Sequence, residues 1–131
     1  MQTAKRVLLV EDDIDDQELF SEALARIHPS IRYDIANNGV EALQMIETPP
    51  VFDMIFMDLN MPKMNGIECL KHLKVHPVYK YVPIIIISTS VREEEMEKCK
   101  ELGAAKYFPK PPSFDTLFNN LRNILAEIPG N

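Results

Sequence analysis

Four short apolar segments of this chain each end at residues that can bind a metal ion or a phosphoryl group. They run into Glu11-Asp12, Asp58, Ser88-Thr89 and Lys110. Carboxylates are ligands that hard divalent cations prefer, and an ammonium or a hydroxyl can donate hydrogen bonds to a phosphate oxygen. These residue types therefore indicate phosphate or metal chemistry, provided that the fold brings them together.

The segments that precede these residues are predicted to be strands of one parallel sheet. They comprise residues 7–10, 54–57, 84–87 and 107–109. Uniformly apolar strands are typical of a parallel sheet that helices cover on both faces. The carboxyl ends of parallel strands lie at one edge of the sheet, where open α/β sheets bind their ligands. We therefore expect the acids, the hydroxyl and the amine to meet in one pocket.

The stretches between these segments carry the periodicity of amphipathic helices. A further strand is expected at 31–36, and Pro49-Pro50 should end the helix that follows it. Another helix is predicted over Glu93–Leu102, ending at Gly103, and the last helix begins at Phe114 with Ser113 as its N-cap. Five alternating β-α units predict an α/β fold, a doubly wound five-stranded parallel sheet with helices on both faces.

Size and composition limit the possible functions. The 131 residues are 46% hydrophobic and 26% charged, and we expect a single domain over 1–131 with no output domain. No apolar run reaches the roughly 20 residues of a membrane helix, and no signal peptide is evident, so we expect a cytoplasmic protein without a membrane partner. A net charge of −6 argues against a nucleic-acid partner, because phosphate binding needs a basic surface.

Four motifs, in order along the chain, match those of a known family. They are Leu8-Leu9-Val10-Glu11-Asp12-Asp13, Met57-Asp58-Leu59-Asn60-Met61-Pro62-Lys63-Met64-Asn65-Gly66, Ser88-Thr89 after four isoleucines, and Tyr107-Phe108-Pro109-Lys110-Pro111. Over essentially the whole chain they closely resemble the receiver domain of two-component response regulators. The chain is similar to a stand-alone, CheY-like receiver with a flavodoxin-like fold.

The resemblance implies a phosphorylation-dependent signalling switch, not an enzyme. Asp58 would accept a phosphoryl group from the phosphohistidine of a sensor histidine kinase or a histidine phosphotransfer protein. The phosphorylated chain would then signal by changed binding to a downstream protein or to a second copy of itself. The resemblance also implies Mg²⁺, bound by Asp12, Asp58 and the carbonyl of Asn60, with Glu11 acting mainly through water. A cation is needed there because three adjacent carboxylates repel one another.

The resemblance implies further roles around the phosphoryl group. Lys110 would pair with Asp58 at rest and with a phosphoryl oxygen afterwards. The Ser88 hydroxyl and the backbone N–H groups of Thr89 and Asn60 would donate hydrogen bonds to the other oxygens. This ring of donors would favour both the transfer and the acyl phosphate.

Four further expectations concern switching, geometry and lifetime. Tyr107 would be the switch residue, turning from an exposed to a buried position after phosphorylation. The Lys110–Pro111 peptide bond is expected to be cis, as is typical of the family. Asn60 and Ser90 would flank the path of the water that hydrolyses the acyl phosphate. Asp15-Asp16 is interpreted as a solvated helix start, favourable at the positive end of the helix dipole.

Two other functions fit part of this pattern. A small magnesium-dependent phosphatase or phosphotransferase of the haloacid-dehalogenase type also uses a strand-end Asp nucleophile and a lysine. That family places an Asp general acid two residues after the nucleophile, where this chain has Asn60. A flavodoxin-like binder of flavin mononucleotide would need hydroxyls and amides in the first loop, where Glu11-Asp12-Asp13 would repel the phosphate.

Overall fold

A five-stranded parallel sheet lies at the centre of the protein. The structure, a computed structural model, describes residues 6–89 and 92–127. The strands are β1 (Arg6–Val10), β2 (Arg32–Ala36), β3 (Met54–Met57), β4 (Ile84–Ser88) and β5 (Lys106–Pro109), in the spatial order β2-β1-β3-β4-β5. All neighbouring strands are parallel, which confirms the predicted fold class.

Helices cover both faces of this sheet. They are α1 (Ile14–Ile27), α2 (Gly39–Met45), α3 (Gly66–Lys74), α4 (Glu93–Leu102) and α5 (Phe114–Glu127), with a short 3-10 helix at Tyr79–Tyr81. Alternate side chains of β1 point to opposite faces. Leu9 packs in a core with residues of α1 and α5, whereas Leu8 packs in a second core with residues of α2, α3 and α4. None of these described helices is long and apolar enough to cross a bilayer.

The predicted helix ends agree closely with the structure. Helix α4 has the predicted bounds, and Gly103 follows it in the left-handed region with φ 101°. Ser113 Oγ accepts a hydrogen bond from the N–H of Thr116 at 3.3 Å, as expected of the N-cap of α5. These local signals mark the end of α4 before β5 and the start of α5 after it.

One local prediction was wrong. The Lys110–Pro111 bond is trans, and the cis bond of the described residues is Pro49–Pro50. The preference for trans before proline is only about 0.5–1 kcal/mol, so surrounding structure decides the isomer. The 3-10 helix at Tyr79–Tyr81 was also not predicted, since three residues are too few to show a period.

Candidate functional site

The carboxyl ends of β1 and β3 bring three acids together. The pairing of Val10 with Met57 sets the two strand ends level, and the N–H of Asp58 donates to Val10 O at 3.0 Å. One carboxylate oxygen each from Glu11, Asp12 and Asp58 lies within 4.8 Å of the others. Glu11 and Asp58 are buried and Asp12 is exposed, so the cluster opens to solvent on one side. The predicted convergence of the acids is confirmed.

Lys110 reaches the acids from the end of β5. Its backbone N–H donates to Ser88 O at 2.8 Å, which ties the ends of β4 and β5 together. Its Nζ lies 3.6 Å from Asp58 Oδ2 and 3.0 Å from Glu11 Oε1. The ammonium therefore lies among the carboxylates, within ion-pair distance of Asp58 but closer to Glu11.

Burial of the two inner acids changes their protonation. Burial raises the pKa of Glu11 to about 7, although Lys110 and the N–H of Asp13 oppose the change. Burial also raises the pKa of Asp58, against the opposing charge of Lys110 and the N–H groups of Asn60 and Leu59. Two buried acids near each other are costly to ionise together, so the pocket is short of positive charge.

This acid cluster fits a divalent cation. Oδ1 of Asp58 is buried and has no hydrogen-bond partner, which is costly for a carboxylate oxygen unless a ligand completes it. Among residues 6–89 and 92–127, Glu11, Asp12 and Asp58 form the group of three acid, His or Cys side chains with ligand-like spacing. A site of carboxylates open to water on one side suits a hard cation that keeps part of its hydration shell.

The polar residues expected around a phosphoryl group line the same edge. Ser88 is fully buried at the end of β4. Asn60 Nδ2 donates to Thr89 Oγ1 at 3.3 Å across the mouth of the pocket. Asp12, Asp58, Asn60, Thr89 and Lys110 line an open cleft of about 530 Å³ together with the first residues of α1. Ser90, which was expected to flank the path of water, lies outside the described residues.

The loop between β3 and α3 holds Asn60 at this mouth. The N–H of Gly66 donates to Leu59 O at 2.8 Å, and Asn65 Oδ1 caps α3 by accepting from the N–H of Glu68 at 3.0 Å. Within this loop, Lys63 has φ 67°, a left-handed conformation that is uncommon for residues other than glycine. The loop is thus closed on the strand end that carries Asp58.

Tyr107 lies one strand away from the acids. It pairs with Ile86 in the register of β4 and β5, so its side chain lies on the sheet face that also contains Ser88. It is half-buried and packs against the core under α3 and α4. The predicted switch residue is therefore half-buried and shares a sheet face with the buried Ser88.

Asp16 is a site residue that the sequence interpretation missed. Its Oδ2 lies 2.6 Å from Lys110 Nζ, closer than either Glu11 or Asp58. Asp15 and Asp16 do occupy the first turn of α1, but Asp16 is not simply solvated. Hydrogen bonds to Asp16 and Glu11 outweigh the effect of burial and raise the pKa of Lys110 above its ordinary value. No local pattern links residues 94 positions apart.

Comparison with known proteins agrees with this geometry. The sequence profile of the response regulator receiver domain matches residues 7–122. The chain belongs to the receiver domain family. Response regulator Rcp1 of Synechocystis sp. is 30% identical over 126 residues, which cover 92% of this receiver and 86% of Rcp1. The Mn²⁺-bound form of Rcp1 superposes with a TM-score of 0.88 at 28% identity, covering 97% of this chain and 99% of that one.

A second solved structure supports the same assignment. Chemotaxis response regulator CheY4 of Vibrio cholerae has a TM-score of 0.80 and 32% identity, covering 94% of this receiver and 100% of that chain. Several curated relatives are much longer, and the receiver spans 16% of transcription factor SKN7 of Chaetomium thermophilum and 59% of stress response regulator protein 1 of Meyerozyma guilliermondii. As a receiver, the chain is a phosphorylation-dependent signalling switch, and the phosphatase alternative is not favoured. Receivers are generally phosphoacceptors that act with histidine kinases or phosphotransfer proteins.

Proposed function

We propose that Asp58 is the phosphoacceptor of this receiver. The observation that carries the proposal is the convergence of Glu11, Asp12 and Lys110 on the buried carboxylate of Asp58. Glu11 has the same neighbours, but its oxygens are bound by Lys110 and by the N–H of Asp13, whereas Oδ1 of Asp58 is buried without a hydrogen-bond partner. Phosphoryl transfer demands little of the protein beyond alignment and charge compensation, which Lys110 and a bound cation would supply together.

The transfer forms one bond and breaks another. An oxygen of the Asp58 carboxylate attacks phosphorus, and the P–N bond of the donor phosphohistidine breaks. The imidazole keeps the bonding electron pair and takes up a proton. Lys110 and the Ser88 hydroxyl stabilise the phosphoryl oxygens, with the N–H groups of Thr89 and Asn60 as further donors.

Mg²⁺ is the proposed metal of the acid cluster. Asp12, Asp58 and the Asn60 carbonyl would hold it, and Glu11 would act mainly through water. When bound, the cation supplies the charge compensation that lets an anionic phosphoryl group approach three carboxylates. The orphaned Oδ1 of Asp58 and the hard oxygen ligands of the cluster support this assignment.

The output is proposed to be a changed protein surface at α4, β5 and α5. Helix α4 has one fully buried side chain, Cys99, so little of this helix packs in the core. Tyr107 on β5 connects that face with Ser88 through the shared side of the sheet. A downstream protein or a second copy of the chain would bind this face after phosphorylation. The donor would be a sensor histidine kinase or phosphotransfer protein in the cytoplasm.

Phosphorylation by a small donor tests the proposal. The protein is incubated with Mg²⁺ and acetyl phosphate, and its intact mass is measured. We expect one added phosphoryl group on the natural protein and none on Asp58→Asn, whose amide cannot form the acyl phosphate. Asp53→Asn is the matched control, because Asp53 precedes the same strand but accepts the N–H of Arg6 at the opposite edge. Undiminished label on Asp58→Asn would refute Asp58 as the acceptor.

A further inference from the structure

Lys110 is bound more closely by an acid of α1 than by the acid it is expected to serve. Nζ lies 2.6 Å from Asp16 Oδ2, 3.0 Å from Glu11 Oε1 and 3.6 Å from Asp58 Oδ2. The Asp16 contact is a charge-assisted hydrogen bond of short length, whereas the Asp58 contact is beyond normal hydrogen-bond distance. The ammonium is thus displaced towards α1.

The surroundings leave Lys110 few other partners. Among the described residues, Glu11, Asp16 and Asp58 are the acids within 4.0 Å of Nζ. The lysine borders a cavity of about 170 Å³ between α1 and α5, whose other walls are largely apolar side chains such as Leu9, Phe20, Ile87, Phe114 and Leu117. Only 19% of the Lys110 side chain is exposed. Without Asp16, the nearest compensation for the ammonium is the pair Glu11 and Asp58.

Asp16 is not fully explained by its place in the helix. Its backbone N–H donates a hydrogen bond to Oδ1 of Asp13, the N-cap residue, at 3.0 Å, and this bond does not involve the Asp16 carboxylate. The carboxylate could face water, as that of the preceding Asp15 does, since both occupy the first turn of α1. Instead it turns towards β5 and binds the lysine.

We propose that Asp16 is a positioning residue that competes with the phosphorylation site for Lys110. In the resting receiver it holds the ammonium on the α1 side, and the phosphoryl group on Asp58 must draw the ammonium away from it. The cost of breaking the Asp16 contact therefore offsets part of the attraction between Lys110 and the phosphoryl group. This inference rests on the proposed function, and it adds a determinant of how strongly the phosphorylated state is favoured.

Beryllofluoride binding in the presence of Mg²⁺ tests the competition. The dissociation constant is measured by amide NMR titration for the natural protein, Asp16→Asn, Asp16→Glu and Asp15→Asn. Asp15→Asn is the matched control, because it removes the same charge from the next position without touching Lys110. We expect Asp16→Asn to bind beryllofluoride about fivefold more tightly, Asp15→Asn to change by less than about twofold, and Asp16→Glu to stay near the natural protein.

Lys110→Ala separates positioning from the general electrostatic field. If Asp16 acts through the lysine, Asp16→Asn has no effect on beryllofluoride affinity in the Lys110→Ala background. In the free protein, the ¹⁵Nζ signal of Lys110, assigned by its loss in Lys110→Ala, should shift in Asp16→Asn and not in Asp15→Asn. The comparison of ¹⁵Nζ signals still tests the proposal if Lys110→Ala binds beryllofluoride too weakly to titrate.

The outcomes are distinct. Unchanged or weaker binding by Asp16→Asn, an equal gain in the Lys110→Ala background, or an unmoved Lys110 signal would overturn the competition while leaving Asp58 as the acceptor. Failure of the natural protein to bind beryllofluoride at all would refute the proposed function, and the competition with it.

Discussion

Gly66 lies directly against the backbone of Asp58. A Cβ at Gly66 would lie 2.5 Å from Asp58 O and 2.7 Å from Leu59 Cα, closer than side-chain atoms approach a backbone. The start of α3 can therefore close on the end of β3 only because residue 66 has no side chain. This contact sets the position of the loop that carries Asn60.

Gly66→Ala should consequently damage both the fold and the site. The added methyl must push α3 away from β3, at a cost of about 1–3 kcal/mol in the free energy of unfolding. Labelling by acetyl phosphate should fall as well, since the loop beside Asp58 moves. Gly103→Ala is the control: its left-handed φ of 101° makes alanine strained, but its nearest neighbour is the Lys74 side chain at 3.5 Å. Urea unfolding and intact mass should show lost stability in both variants and lost labelling only in Gly66→Ala.

Metal affinity should depend on Asp12 much more than on Asp15. Asp12 offers an oxygen within 4.8 Å of Glu11 and Asp58, whereas Asp15 is not part of that cluster. Removing one carboxylate from a site of three should weaken Mg²⁺ binding at least about tenfold. Calorimetric titration of Asp12→Ala and Asp15→Ala with Mg²⁺ measures the difference. Similar losses in the two variants would show that the cation lies elsewhere.

Without metal, Glu11 should make the protein less stable as the pH rises. Burial raises the pKa of Glu11 from 4.5 to about 7, so the folded protein binds this proton more tightly than the unfolded chain does. The stabilisation is fully present below the unfolded pKa of 4.5 and is lost as the pH rises through the folded value of about 7. Glu11→Gln has no such proton, so its unfolding free energy should depend less steeply on pH in that range.

Urea unfolding in EDTA measures this effect between about pH 5 and pH 8. Saturating Mg²⁺ should reduce the slope for the natural protein, because the cation stabilises the ionised carboxylates. Identical pH slopes for the natural protein and Glu11→Gln in EDTA would show that another group is responsible.

Local signals were enough to predict most of the fold. Gly103 and Ser113 mark helix ends that depend only on neighbouring backbone, and the structure has both where the sequence indicates them. The convergence of Glu11, Asp58 and Lys110 followed from strand direction alone, because the carboxyl ends of parallel strands share an edge. Helix ends can be predicted from short stretches of chain, and the convergence of the site residues can be predicted from the topology of the whole sheet.

The missed features depend on tertiary detail. The contact between Asp16 and Lys110 depends on the angle at which α1 leaves β1 and on the path of the chain after β5. The raised pKa of Glu11 depends on how deeply the loop after β1 is buried. Neither leaves a pattern in the sequence. The roles of Ser88, Thr89 and Asn60 remain predictions, as does the single domain over 1–131.

Phosphorylation should alter the surroundings of Tyr107. Tyr107 and Ser88 share a face of the sheet, so an inward move of the Ser88 hydroxyl changes the space next to the ring. The two states need differ by only a few kcal/mol for phosphorylation to shift them. Amide NMR with and without beryllofluoride should show shifts in β5, α4 and α5 as well as in the pocket. In Ser88→Ala, beryllofluoride should leave Tyr107 largely unchanged, and full shifts there would exclude this route.

Chemical trapping of the labelled residue tests the central claim most directly. The protein is phosphorylated with Mg²⁺ and acetyl phosphate, then treated with borohydride, which reduces an acyl phosphate on aspartate to homoserine, and its peptides are sequenced by mass spectrometry. We predict homoserine at position 58 alone, with no other aspartate converted. Conversion at Asp12, Asp13 or Asp16 with Asp58 unmodified would contradict the assignment of Asp58 as the phosphoacceptor.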